Sequence, residues 1–236
     1  VLRNLTSSHF FSLALSKLLD AHTFPSQPSS TTQTLDHFAH LHTDLYRLPN
    51  TIMASIIELP REIWLEVVSY LDYFDLKMIV GVSKAFKSYT ELPACKKTMF
   101  RSKTVIPKGD TINLDDVEIH PAFNYMSYEC ATELDGVYFY TSDDDEMVLT
   151  DTCAANEHAT SPPVAFLRLQ VTDWKPLQIT NKNGVTVSQV MKSLCRFFSK
   201  DEHRESRGDH TGWNGWDETK LDRNGNLMLR VDWFDS

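Results

Sequence analysis

Residues 56–90 constrain the fold of this chain more than any other stretch, because they hold apolar periodicity for three helices and too little chain to bury them. Pro60 stands where a helix can begin without a backbone N–H, and Glu62 in the first turn complements the helix dipole. Ile63, Val67, Tyr70 and Leu71 then recur at helical spacing, which predicts one apolar face. Asp72 to Asp75 mark a break, Asp75 is placed to cap a second short helix, and that helix carries Leu76, Ile79 and Val80. Gly81 can end it, and Ser83 can begin a third helix bearing Phe86 and Tyr89. Units below about 40 residues seldom bury a sufficient core without a metal, a disulfide or a partner. The segment has neither metal-ligand spacing nor a cysteine pair, so a partner surface is expected from another protein or from the rest of the chain.

The order of residues in this segment carries further information. Leu59-Pro60-x-Glu62-Ile63-Trp64-x-x-Val67-x-x-Tyr70-Leu71, then Asp75-Leu76, then Val82-Ser83-Lys84-x-Phe86, resembles an F-box. The resemblance covers about 35 residues of the chain, the whole length of that motif, and it implies a non-catalytic adaptor. An F-box docks on a Skp-type subunit, which joins it to a cullin–RING ubiquitin ligase, and the adaptor brings a protein for ubiquitination and proteasomal degradation. The contact positions implied by the motif are Leu59, Pro60, Ile63, Val67, Leu71, Leu76 and Val82. An amphipathic helical unit laid on a helical partner is a common mode of recognition. The competing reading is a helical subdomain that packs on the remainder of this chain and has no outside partner.

The formal charge of −9 lies entirely in residues 53–236, because three basic and three acidic residues balance in residues 1–52. That sign disfavours nucleic acid and anionic membranes, which reward clustered Lys and Arg. Cys95, Cys130, Cys153 and Cys195 are too far apart in sequence for a CxxC motif, and free thiols in a reducing compartment, cytoplasmic or nuclear, are expected. No apolar run reaches the roughly 18 residues of a membrane-spanning helix.

Residues 1–52 differ from the rest in lacking Gly, Glu, Cys and Trp. Phe11, Leu15, Leu18 and Leu19 suit a short amphipathic helix, while Lys17 interrupts the apolar run that a signal peptide needs. Phe24–Thr34 reads as a disordered linker. Met53 directly precedes the helical segment, so residues 1–52 are read either as an upstream extension of the reading frame or as a flexible leader. His37, His40 and His42 lack the companions of a metal site and read as solvated.

The expected architecture is α+β: a three-helix F-box over 53–92, followed over 93–236 by a small domain of antiparallel strands and one amphipathic helix. Residues 91–110 extend the helical unit and turn at Pro107–Asp110. Gly136–Thr141 and Met147–Thr150 are β-prone and flank an acidic tip, Ser142–Glu146, which reads as a solvated hairpin loop rather than a calcium site. Residues 151–163 read as a polar loop. Val164–Val171 and Leu177–Thr180 are strands, and Asn183-Gly184 marks a turn. Thr186-x-x-Gln189 forms a capping box for a helix with Val187, Val190, Met191, Leu194, Phe197 and Phe198 on one face. Residues 200–215 are expected to be an exposed loop, Asn224-Gly225 a turn and Leu227–Phe234 a final strand. Pro162-Pro163-Val164, Leu167-x-Leu169 and Asn183-Gly184-Val185-Thr186-Val187 are similar to C-terminal regions of fungal F-box proteins, a likeness that transfers no function.

Motifs for chemistry are scarce. The sequence has no P-loop, GxGxxG, GxSxG or HExxH, so no cofactor, metal or catalytic residue is assigned. Trp213, Trp216 and Trp233 suit either an aromatic binding platform or packing over a core edge. A binding module with a purely structural helical part, or a small enzyme with a site assembled from distant loops, stands beside the adaptor reading.

Overall fold

Trp64, Val67, Val68 and Leu71 recur at helical spacing and are all buried, which defines the inner face of the first described helix. A computed structural model of the chain describes residues 61–80, 84–128, 132–140, 146–171, 175–205 and 213–233. The chain divides into two compact units, Val1–Cys95 and Lys96–Ser236.

Within the described part of the first unit lie α1 (Arg61–Ser69), α2 (Tyr73–Val80) and α3 (Lys84–Tyr89), and α4 (Pro93–Thr98) spans the division. Two sequence expectations shift by a residue or a few. The buried face of α1 centres on Trp64 and Val68, whereas Ile63 and Tyr70 are 40% and 41% exposed. The large indole supplies more apolar area than either, and its ring meets Phe86 of α3 edge-on at 4.9 Å. The cap of α2 is Asp72, whose carboxylate accepts the Asp75 N–H at 3.0 Å, while Asp75 sits buried within the first turn. Gly81 to Ser83, expected to separate the second and third helices, lie outside the described residues, as do residues 1–52.

The second unit places a four-stranded sheet against a long helix. In chain order its elements are β1 (Glu118–Ile119), β2 (Met126–Tyr128), β3 (Val137–Tyr140), β4 (Glu146–Val148), β5 (Thr160–Ser161), β6 (Phe166–Gln170), β7 (Leu177–Thr180), α5 (Val187–Phe198), α6 (Asp201–Glu205), β8 (Trp213–Leu221) and β9 (Leu227–Trp233). The main sheet runs β7-β6-β9-β8, a three-stranded sheet runs β2-β3-β4, and β1 pairs with β5. The expected hairpin is present, with Tyr138 opposite Val148 and Tyr140 opposite Glu146, and its tip from Thr141 to Asp145 lies outside the described residues.

The expectation of antiparallel strands holds for every strand pair but one: β6 and β9 are parallel, with Leu169 opposite Leu229. A parallel pair requires a crossover, and the chain between these strands supplies it through β7, α5 and β8. All six residues predicted for the inner face of α5 are buried, and Cys195 joins them. They pack with Leu167, Leu169, Leu227 and Leu229 into the core. The capping box is formed as expected, with Gln189 N–H donating to Thr186 Oγ1 and Thr186 N–H to Gln189 Oε1. The exposed loop expected over residues 200–215 is corrected at both ends, where the chain forms α6 and the start of β8; residues 206–212 lie outside the described residues.

Candidate functional site

The positions implied by the F-box resemblance divide by exposure. Ile63 is outward, and Tyr70, seven residues on and directly after the end of α1, is exposed as well. Phe74 at the start of α2 is also 41% exposed. Val67, Leu71 and Leu76 are buried at 6%, 4% and 0%. Leu59, Pro60 and Val82 lie outside the described residues. The first unit therefore shows an apolar group of outward side chains that the sequence reading had assigned, except for Ile63, to no contact.

In the second unit the segment expected as a polar loop, 151–163, holds a buried polar cluster. His120 is fully buried, and Glu157 is 4% exposed. His120 Nδ1 accepts the Ala122 N–H at 3.1 Å, so the ring is neutral at that nitrogen and its Nε2–H faces Glu157 Oε2 at 3.4 Å. Arg101 Nε donates to Glu157 Oε1 at 2.6 Å. Both His120 nitrogens are occupied and solvent does not reach the ring, so the cluster ties Arg101, the turn at His120 and the segment before β5 together. Neighbouring His158 is held below the ordinary histidine range by desolvation, which outweighs a hydrogen bond to the Ser102 backbone and the charge of Glu157. Trp216 packs edge-on against Phe123 at 5.1 Å, beside the core, which is the packing role rather than an open platform for that residue.

A cleft of about 450 Å³ runs between β7 and α5. Leu177 and buried Phe197 form its apolar part, and the His203 ring stacks on Phe197 at 3.9 Å. Lys175, Arg196 and Lys200 line it and are all exposed. The ion pairs among the described residues involve Arg101, His120, Arg168, His203, Lys220 and Arg230, and none of these three. No acidic residue lines the cleft among the described residues. The sequence reading missed this site. Its only linear trace is Arg196 and Lys200 four residues apart at the end of a helix, where basic residues are ordinary.

Comparison with known families assigns residues 46–98 to the F-box domain and residues 126–235 to a family of unknown function, DUF6699. The first match covers the helical unit and the second covers β2 through β9. No curated protein and no solved structure matches the chain. Among the described residues, no helix is long and apolar enough to cross a membrane.

Proposed function

Because it joins an F-box domain to a DUF6699 domain, the chain is an F-box protein with an uncharacterised C-terminal domain, and from that premise we propose that it is a substrate adaptor of a cullin–RING ubiquitin ligase. Residues 53–92 dock on the Skp-type subunit, and residues 93–236 recruit a protein substrate for ubiquitination. The adaptor performs no bond chemistry, since the partner ligase supplies it and the adaptor supplies proximity. Its place of action is the cytoplasm, the nucleus or both.

The observation that carries this reading is the F-box match over a helical unit that leaves Ile63, Tyr70 and Phe74 exposed. In this reading Ile63 meets the partner directly, together with Leu59, Pro60 and Val82. Val67, Leu71 and Leu76 act from within, by fixing the helices that present those contacts. Burying a single such aliphatic side chain is worth about 1.5–3 kcal/mol, so a few of them account for a stable interface.

The test is co-expression of the full chain with the Skp-type subunit of the same organism, followed by size exclusion. A stoichiometric complex is expected. It should be lost in Ile63→Asp and in the pair Leu59→Ala with Pro60→Ala, with circular dichroism unchanged. A folded chain that forms no complex, or a complex indifferent to both variants, overturns the proposal.

A further inference from the structure

Among the described residues, strand β7 is an edge of the main sheet, paired with β6 on one side only. The direction of its backbone groups follows from the register. Asn181 N–H donates to Ala165 O at 2.9 Å, directly beyond the pairing of Phe166 with Thr180. In an antiparallel ladder, hydrogen-bonded and non-hydrogen-bonded positions alternate. Ile179 and Leu177 therefore face β6, while Gln178 and Thr180 turn their N–H and C=O groups to the open edge. Gln178 and Leu177 project to opposite faces of the strand, yet both line the cleft, so the cleft runs along that edge rather than over one face. At the opposite side of the sheet, β8 lies near β2 and the short turns at Leu114 and Pro121.

We infer that the β7–α5 cleft is a docking site for an extended acidic peptide, which adds as a strand to β7 and sets its carboxylates against Lys175, Arg196 and Lys200. Strand addition draws affinity from main-chain hydrogen bonds and specificity from the side-chain pockets beside them. The pocket here combines an apolar floor, Leu177 and Phe197, with three cations that have no carboxylate partner among the described residues. The contrast in charge points to the occupant, because the chain as a whole carries −9 and this cleft is cationic. Lysines beside a bare edge also repel a second copy of the same edge, so they select against self-pairing and in favour of a strand of opposite charge. The inference rests on the adaptor reading only in naming that peptide as part of a recruited substrate.

Fluorescence anisotropy on the full chain tests it, with a labelled peptide of about ten residues alternating Glu and Val. The same peptide with Gln for Glu, two versions N-methylated at alternate residues in the two possible registers, and a single-stranded oligonucleotide of matched charge serve as comparisons. The acidic peptide is expected to bind, with affinity that falls as salt is raised. Gln substitution, N-methylation on the pairing side, and the protein variant Arg196→Glu with Lys200→Glu should each weaken binding at least about tenfold. All three residues are exposed, so the variants should keep the circular dichroism of the parent. Equal binding of the Gln peptide, or indifference to charge reversal, overturns recognition by charge. Undiminished binding of both N-methylated registers overturns strand addition, and equal binding of the oligonucleotide overturns the choice of a peptide. A chain that captures the Skp-type subunit and ignores the acidic peptide overturns this inference alone. A chain that binds the peptide and forms no Skp complex overturns the adaptor reading and leaves the cleft.

Discussion

Gly184 shows how much a single position in the second unit is constrained. Its φ is +96°, a conformation that L side chains rarely adopt, and an added Cβ would lie 2.6 Å from Nδ1 of His158 and 3.0 Å from Cβ of Pro163. His158 is half-buried beside the Glu157 cluster and cannot swing away freely. Gly109 also has a positive φ, +90°, with nothing within 4 Å of an added Cβ, so it isolates the backbone cost. Gly109→Ala should cost about 1 kcal/mol and Gly184→Ala about 2–4 kcal/mol, read from urea midpoints at constant slope. Equal losses at the two sites would mean that the ring gives way without cost. The turn itself was legible in Asn183-Gly184, because turn chemistry is local. The contact with His158 was not, because it joins residues that only the folded chain brings together.

The same division between local and distant causes separates the elements. Helix α5 was read from Thr186 to Phe198 because its cap, its period and its apolar face are all written within one stretch. Strand β8 was missed. Its sequence, Trp213 to Leu221, is largely polar and contains Gly215, and its pairing with β9 is interrupted by register shifts near Trp216. What holds the β8–β9 turn is Asp222, which accepts N–H bonds from Asn224 at 2.8 Å and Asn226 at 3.0 Å and pairs with Arg168 of β6 at 2.6 Å. Burial alone would raise its pKa, but the Asn226 and Asn224 hydrogen bonds and the Arg168 charge outweigh burial and hold it below the ordinary aspartate range. With a depressed folded pKa, the unfolded chain binds more protons through the acid range, so stability falls as pH falls. The contribution of Asp222 is complete above about pH 5 and is lost as pH drops through the folded pKa, below the unfolded value of about 3.9. Asp222→Asn should therefore cost about 1–3 kcal/mol at neutral pH and progressively less as pH is lowered through the folded pKa. A penalty that does not change with pH would assign the loss to turn geometry instead of charge.

At the scale of the molecule, the F-box was legible in a linear pattern because docking motifs are carried by one short segment. The outward group of Ile63, Tyr70 and Phe74 was only partly so, since Trp64 took the inner position that period alone gave to its neighbours. The cationic cleft was not legible, because Lys175 precedes a strand while Arg196 and Lys200 end a helix, and only the crossover brings them to one edge. The placement of β9 has a consequence in time. It is made after every other described strand, yet it lies between β6 and β8 and pairs with both. Until Leu227 to Trp233 have been made, β6 has a neighbour on one side only, and its apolar residues Leu167 and Leu169 wait without the strand that flanks them. Contacts this distant along the chain form slowly, and half-made sheets expose edges that aggregate. A chain stopped after Asn226 should be degraded by dilute protease throughout the second unit, where the full chain resists; resistance in the shortened chain would show a sheet that closes without its middle strand. Birth therefore leaves this unit exposed for as long as synthesis takes to reach β9, and its yield in the cell should depend on chaperones that hold nascent chains.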